Sequence, residues 1–278
     1  MKLRILSLGA GVQSSTLALM IEKGELPPID AAIFADVKGE PQKVYDWLEY
    51  LKSKIKSYPI HIVSWRDLKQ DILDASEGKY KAFTAPFFSK NKITGKKSML
   101  MRQCTNMYKV QPVIQEIRKI LGLKKGEKRK PNTQVELLMG ISLDEIVRMR
   151  TNLLKYITNE YPLVDKKMTR KDCLQWLEDN FYPTPPRSAC TFCPYHSNKE
   201  WLDIKNGNPK EWEEVVKMDK AIRNQEQFKE KNKGKKIDDE IFLHRSCKPI
   251  DEIDFEENDP QLDLFYGINN ECEGMCGN

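Results

Sequence analysis

The first 63 residues alternate between short apolar runs and segments whose apolar residues recur at helical spacing. The runs at 3–8, 31–35 and 59–63 have the length and composition of buried strands. Residues 14–22 and 44–55 place apolar side chains three or four positions apart, as amphipathic helices do. Strands that alternate with helices in this way pair in parallel, because each helix crosses over the sheet. We therefore predict an α/β fold with a doubly wound parallel sheet.

The rest of the sequence extends this sheet and adds a smaller region. With 278 residues, the chain is long enough for one large α/β domain and a C-terminal addition. Residues 135–140 are predicted to form another central strand, whereas 76–100 lack a clear period and are predicted to be a long loop. Further helices are predicted at 110–123, 169–180 and 209–223. We place a main domain at 1–165 and a smaller, helical, cysteine-containing region at 166–278.

A glycine-rich turn, Gly9-Ala10-Gly11-Val12-Gln13-Ser14-Ser15, joins the first predicted strand to the first predicted helix. Glycines let the backbone turn tightly and approach a phosphate, whose charge is held by N–H groups at a helix N-terminus. Ser14 and Ser15 add hydroxyl donors. The lysine of a Walker A loop is absent, and Ser14 replaces the third glycine of the dinucleotide fingerprint. The turn predicts a phosphate site, with a tight connection that binds no ligand as the alternative.

This turn resembles the PP-loop of the adenine nucleotide alpha hydrolase superfamily, which includes phosphoadenylyl-sulfate (PAPS) reductases, ATP pyrophosphatases and tRNA thiolation enzymes. The family pattern Ser-Gly-Gly-x-Asp-Ser corresponds to residues 9–14, with Gly9 in place of Ser and Gln13 in place of Asp. Glutamine at that position is similar to the reductase branch. The resemblance implies that an adenine nucleotide contacts Gly9, Ala10, Gly11, Gln13, Ser14 and Ser15.

Two later segments, residues 34–41 and 139–148, also resemble this superfamily. Asp36 follows the second predicted strand, at the carboxyl end where parallel sheets bind ligands. A turn or helix-capping role is its alternative. The resemblance implies that Gly140 lets the nucleotide lie close to the backbone, and that Arg148 pairs with a phosphate.

The sequence Cys190-Thr191-Phe192-Cys193 directs two thiolates at one metal ion or cluster. The N-terminus lacks a signal-peptide pattern and the chain lacks a membrane-length apolar run, which predicts a cytoplasmic protein. Because the cytosol keeps thiols reduced, the seven cysteines favour metal or redox chemistry over disulfides. A thioredoxin-like redox motif is the rival interpretation of the Cys190-Thr191-Phe192-Cys193 segment, but a redox motif of that kind follows an early strand of its fold.

Cluster-bearing members of the superfamily place one cysteine before a helix and a Cys-x-x-Cys later. Cys104, Cys190 and Cys193 match this arrangement, so the resemblance implies that they are ligands. Cys276 completes a set of four, with Cys272 or an open iron as alternatives. The family favours a four-iron four-sulfur (4Fe-4S) cluster over zinc, although four thiolates fit both.

The C-terminal Glu271-Cys272 is similar to the Glu-Cys-Gly segment that carries the nucleophile of sulfonucleotide reductases, with Glu273 where glycine is usual. The resemblance implies that Cys272 is a catalytic nucleophile. A chain end with incidental cysteines is the alternative.

Three functions are compatible with these features. The first is PAPS reductase-like reduction of a sulfonucleotide, PAPS or APS, with a thioredoxin-like reductant. The second is ATP-dependent, iron–sulfur-dependent thiolation of tRNA or DNA, which the basic blocks at 118–130 and 229–236 favour. The third is a zinc-stabilised, non-enzymatic protein that senses a nucleotide or binds nucleic acid. No membrane partner is expected.

Overall fold

The computed structural model describes residues 2–79, 83–124, 126–224 and 239–256. In this part of the chain the strands are β1 (Lys2–Leu8), β2 (Ala31–Ala35), β3 (Ile60–Val63), β4 (Phe88–Asn91), β5 (Lys97–Met99), β6 (Gln134–Met139), β7 (Ile157–Glu160) and β8 (Asp239–Phe242). The α-helices are α1 (Val12–Glu22), α2 (Gln42–Lys54), α3 (Leu68–Ser76), α4 (Gln111–Ile120), α5 (Pro162–Asp165), α6 (Arg170–Asp179), α7 (Asn198–Asn206) and α8 (Pro209–Arg223). A π-helix covers Asn106–Val110, and 3-10 helices cover Leu143–Arg148 and Ile250–Glu252.

Two compact units divide these elements. The first combines residues 1–65 with 105–189, and the second combines 66–104 with the described residues from 190 onward. This division differs from the boundary predicted at residue 165. Each unit is assembled from separate stretches of chain, and hydrophobic periodicity along the sequence carries no signal for such a recombination.

The first unit contains a five-stranded sheet in the order β3-β2-β1-β6-β7. Every neighbouring pair of strands is parallel, which confirms the predicted doubly wound α/β fold. The chain winds outward from β1 to β3 and then returns to place β6 on the other side of β1. The sheet therefore has a topological switch point between β1 and β6, at the carboxyl ends of the strands.

Buried side chains cover both faces of this sheet. Alternate residues of β1 point to opposite faces, so that Ile5 and Leu6 belong to different hydrophobic clusters. One cluster packs the sheet against α1, α2 and α6, and the other packs it against α4. Because both faces of the sheet are buried, its central strands have largely apolar sequences.

The predicted helix at 169–180 is confirmed as α6, and its start is fixed by a capping box. Thr169 Oγ1 accepts a hydrogen bond from the Asp172 N–H at 3.2 Å, and Asp172 Oδ2 accepts one from the Thr169 N–H at 2.8 Å. Such reciprocal pairs satisfy two N–H groups that the helix itself leaves unbonded. The helix predicted at 209–223 is also confirmed, as α8.

The second unit contains a three-stranded antiparallel sheet in the order β5-β4-β8. The prediction of a structureless loop at 76–100 was therefore wrong for β4 and β5. These strands are three and four residues long, and all three residues of β5 are exposed, so the segment has no hydrophobic alternation. Hydrogen bonds between polar side chains add to the pairing, including one of 2.7 Å between the hydroxyls of Ser89 and Ser98.

None of the described helices has the length and apolar composition that crossing a membrane requires.

Candidate functional site

The glycine-rich turn lies at the switch point of the parallel sheet. It leaves the carboxyl end of β1 and leads directly into α1. Ala10 occupies the left-handed region at a φ of 59°, which a non-glycine residue adopts only when its surroundings enforce it. Ligands of open α/β sheets bind in this crevice. The fold thus places the predicted phosphate loop at the position where such a loop functions.

The first turn of α1 is buried and has no side-chain cap. Gly11 is the N-cap residue, and the first intrahelical hydrogen bond runs from the Ser15 N–H to the Gly11 carbonyl oxygen at 3.0 Å. The N–H groups of Val12, Gln13 and Ser14 therefore have no acceptor within the helix. All three residues are at most 2% exposed. Buried N–H groups need an acceptor, and a phosphate group would supply one.

The hydroxyls of Ser14 and Ser15 form hydrogen bonds with other groups of the protein. Ser14 Oγ accepts a hydrogen bond from the Gly9 N–H at 3.2 Å, and Ser15 Oγ accepts one from Trp47 Nε1 at 2.8 Å. These contacts fix the shape of the turn and its attachment to α2. A contact of either hydroxyl with phosphate stays a prediction.

Gly140 brings the loop after β6 against the start of α1. A Cβ atom at this position would lie 2.8 Å from the Ser14 backbone nitrogen and 2.9 Å from its Cα. Since the neighbouring atoms belong to the backbone, neither the loop nor α1 could accommodate the methyl group without moving. The glycine is required here for the contact between this loop and α1, whereas its predicted approach to a nucleotide stays a prediction.

We expect Gly140→Ala to displace the glycine-rich turn. Overpacking at a tight backbone contact costs about 1–3 kcal/mol of folding free energy, and the displaced N–H groups would no longer converge on a phosphate. Titration calorimetry should therefore show at least about tenfold weaker nucleotide binding. Gly24→Ala is the matched control, because it strains a φ of 77° but meets no atom within 4 Å. Equal nucleotide affinity in the two variants would contradict this role of Gly140.

Gln13 joins three elements through its side-chain amide. Its Nε2 donates to Glu145 Oε2 at 3.2 Å and lies 3.4 Å from Ser142 Oγ, and its Oε1 accepts from Arg170 Nη1 at 2.9 Å. Glu145 also accepts from Arg148 Nη1 at 2.5 Å. The predicted residues Gln13 and Arg148 thus belong to one network beside the turn. Both cations of this network lie where they would offset the negative charge of a phosphate.

Asp36 lies at the carboxyl end of β2 and is 4% exposed. Its carboxylate accepts hydrogen bonds from the Lys38 N–H at 2.8 Å and from Tyr45 Oη at 2.9 Å, and it pairs with Lys38 Nζ at 2.8 Å. Burial raises the pKa of Tyr45 far above its usual value, and the negative charge of Asp36 adds to the effect. The tyrosine hydroxyl therefore remains a proton donor. The turn role of Asp36 is observed, and nucleotide contact remains a prediction.

A buried ion pair near Asp36 was not predicted from the sequence. Lys109 Nζ lies 3.2 Å from Glu40 Oε1, and the two side chains are 6% and 0% exposed. Ser188 Oγ lies 3.4 Å from the other carboxylate oxygen of Glu40. Lys109 belongs to the π-helix Asn106–Val110, and π-helical turns are frequent at functional sites. Glu40 lies within the segment that resembles the superfamily, but no sequence pattern predicted Lys109 as its partner.

The Cys-x-x-Cys sequence forms a tight turn in the second unit. The Cys193 N–H donates to the Cys190 carbonyl oxygen at 2.9 Å, and His196 Nε2 lies 2.9 Å from the same oxygen. Cys104 belongs to the same unit, and its N–H donates to the Thr84 carbonyl oxygen at 2.9 Å. All three cysteines are partly exposed. Their chemistry fits thiolate ligation of a cluster or of zinc.

Within the described ranges, no three His, Cys, Asp or Glu side chains converge in a way that would hold a metal ion. Cys272 and Cys276 lie outside those ranges, so the predicted nucleophile and the predicted fourth ligand have no structural description. The cluster, the zinc alternative and the role of Cys272 stay predictions.

Comparison with known proteins identifies no family. No protein-family model matches the chain, and no curated protein matches it. Among solved structures, the chain is similar to the crystal structure of a phosphoadenylyl-sulfate (PAPS) reductase from Candida auris in complex with phosphate. The TM-score is 0.42 and the sequences are 14% identical, over 66% of this chain and 74% of that chain.

Proposed function

We propose that this chain is an enzyme of the PP-loop type that binds an adenine nucleotide and performs sulfur chemistry on it, in the form of PAPS reductase-like sulfonucleotide reduction. The observation that carries the proposal is the buried, uncapped start of α1 at the switch point of the sheet. A nucleotide phosphate satisfies the N–H groups of Val12, Gln13 and Ser14. The resemblance of residues 9–14 to a PP-loop supports an adenine nucleotide over other phosphate ligands.

The charges around the turn suit an anionic substrate. Arg148 and Arg170 are tied to Glu145 and Gln13 and lie close to the start of α1. A guanidinium group binds a phosphate or sulfate through paired hydrogen bonds. Asp36 lies at the neighbouring strand end, where an acceptor for ribose or adenine is needed. These groups bind and orient the nucleotide.

In the proposed reaction the thiolate of Cys272 attacks the sulfur atom of the bound PAPS or APS. A sulfur–sulfur bond forms while the bond between that sulfur and the phosphate oxygen breaks, and its electron pair leaves with the nucleotide phosphate. A thiol of a thioredoxin-like reductant then attacks Cys272 and releases sulfite. A second thiol of the reductant restores Cys272 and leaves the reductant as a disulfide.

A 4Fe-4S cluster would be held by Cys104, Cys190, Cys193 and Cys276. When bound it would supply a positive environment for the sulfonate group. Zinc in the same ligand set would stabilise the fold instead.

The test begins with protein purified without oxygen. We expect a brown protein that contains iron and releases sulfite from PAPS or APS. Cys272→Ser should abolish sulfite release and leave nucleotide binding unchanged, whereas Cys276→Ser should lower the iron content. Sulfite release that survives Cys272→Ser would contradict the proposed nucleophile. A colourless zinc protein without activity on PAPS, APS or ATP would contradict the enzymatic proposal.

Thiolation of a nucleic acid is the second candidate. It is favoured by a basic cleft along β7, which a small sulfonucleotide does not require. Incubation with ATP, tRNA and a sulfur donor distinguishes it, because thiolated tRNA would form in place of sulfite.

A further inference from the structure

A cleft of about 550 Å³ follows the free edge of the parallel sheet. It is separate from the glycine-rich turn and lies wholly within the first unit. The lining residues are Met149, Arg150, Thr151, Asn152, Lys155, Ile157, Thr158, Asn159 and Tyr161. Two of these nine residues are cationic, five carry neutral hydrogen-bonding side chains, and none is acidic. The cleft therefore favours an anionic ligand with several hydrogen-bonding groups.

Hydrogen bonds hold the wall of this cleft in place. The Arg150 carbonyl oxygen accepts from Tyr161 Oη at 2.6 Å and from Asn159 Nδ2 at 2.9 Å. Asn152 Nδ2 donates to Asn159 Oδ1 at 3.1 Å, which ties the loop to β7 a second time. A wall fixed in this way loses little conformational entropy when a ligand binds.

The two cations are available to a ligand. Arg150 Nη1 donates to the carbonyl oxygens of Val147 and Met149, both at 2.8 Å, which orients the guanidinium group and leaves its other N–H groups for a ligand. Within the part of the chain that the structure describes, neither Arg150 nor Lys155 forms a salt bridge. Both residues are exposed. Unpaired cations in a cleft without carboxylates are suited to phosphate groups.

The length of the cleft and the groups beside it suit a chain-like ligand. Its lining runs from Lys155, before β7 begins, to Tyr161, after β7 ends, which is a length of about 15–20 Å at strand rise. Tyr161 lines the cleft and is partly exposed. Leu153, on the loop before β7, is 96% exposed. Flat and apolar groups beside phosphate-binding cations are the elements on which unpaired bases stack.

We infer that this cleft binds a single-stranded polynucleotide, with Arg150 and Lys155 on its phosphates. Met149, which lines the cleft, directly follows Arg148 of the network beside the glycine-rich turn. That the strand is the acceptor of sulfur rests on the proposed PP-loop chemistry, whereas binding of the strand does not. A strand of RNA and a strand of DNA present the same phosphodiester chemistry to these cations.

Fluorescence anisotropy with the full-length chain tests this inference. The probes are labelled oligo(U) and oligo(dT) of about 12 nucleotides, within the usual range of single-strand sites. We expect both to bind, and tighter binding of oligo(U) would identify the 2′-hydroxyl as a further contact. Arg150→Gln/Lys155→Gln should weaken binding about tenfold and lower the slope of log affinity against log salt by about 1.4. Lys155→Gln alone should give part of this loss, and it removes no hydrogen bond from the described structure.

The matched control is Lys43→Gln/Lys56→Gln, which removes the same charge from exposed positions in α2 and just after its end. Equal weakening by the control pair would overturn the inference, as would the absence of binding by both oligonucleotides at low salt. Competition by poly-glutamate as effective as that by oligo(U) would also overturn it, because the surface would then accept any polyanion. PAPS and ATP binding are titrated on the same sample. Nucleotide binding without strand binding would remove this inference and leave the proposed function in place.

Discussion

Lys109→Met is expected to lower the free energy of unfolding of the first unit by about 3–5 kcal/mol. The substitution keeps the length of the side chain but removes the cation 3.2 Å from Glu40 Oε1. Glu40 has no exposed side-chain surface, so its carboxylate would stay buried beside the Ser188 hydroxyl alone. A buried charge that loses its partner is among the most destabilising changes known for single substitutions.

Denaturant unfolding of a double-mutant cycle measures this effect. Lys109→Met/Glu40→Leu should regain most of the lost stability, because apolar groups that replace both charges need no ionic partner. The control is Lys52→Met, which breaks a surface pair with Glu49 in which the side chains are 34% and 69% exposed. We expect that loss to stay below about 1 kcal/mol. If Lys109→Met lowered the free energy of unfolding by no more than Lys52→Met does, water would have to reach Glu40. The pair of Lys109 and Glu40 would then not be a structural element of the site.

Asp219→Ala is expected to destabilise the second unit by a comparable amount, about 3–5 kcal/mol. Asp219 lies in α8, and its side chain is fully buried. One carboxylate oxygen accepts from the Leu243 N–H at 3.2 Å, and the other accepts from the Ile250 N–H at 3.2 Å and from Arg223 Nε at 2.9 Å. Its removal would leave two buried N–H groups and one guanidinium without their acceptor.

Hydrogen exchange is the most direct measurement for Asp219, because it reports on each unit separately. The amides of Leu243 and Ile250 should lose protection in the variant, while amides of β1 and β6 should keep theirs. Asp251→Asn is the control, since Asp251 forms a surface pair of 3.2 Å with Lys220 and is 35% exposed. We expect that change to cost less than about 1 kcal/mol. Unchanged protection at Leu243 in Asp219→Ala would contradict the role of Asp219 as an anchor.

The sequence predicted the parallel sheet because its signals are local. The strands β1, β2 and β3 are short apolar runs, the helices between them repeat at helical spacing, and the order of elements restricts the topology. The antiparallel hairpin of β4 and β5 was missed for the opposite reason. Its strands are short and polar, and β4 gains stability from pairing with β8, about 150 residues further along the chain.

In the candidate site, too, local features were predicted from the sequence and long-range contacts were not. The turn from β1 to α1 is encoded by adjacent residues, so the sequence located it. The partners of those residues are remote: Ser142 contacts Gln13 across 129 positions, and Glu40 meets Lys109 across 69. The glycine-rich pattern predicted an anion site, but it could not predict that Ser14 and Ser15 direct their hydroxyls to the protein itself.

What the sequence determined by itself was the class of fold, the position of the glycine-rich turn and the ends of helices such as α6. These depend on backbone freedom, periodicity and capping within a few neighbouring residues. The tertiary structure decided how the chain divides into two units, which charges are buried as pairs and where a basic cleft forms along β7. Each of these requires segments far apart in sequence to meet, and the contact energy that holds them exists only once the chain has folded.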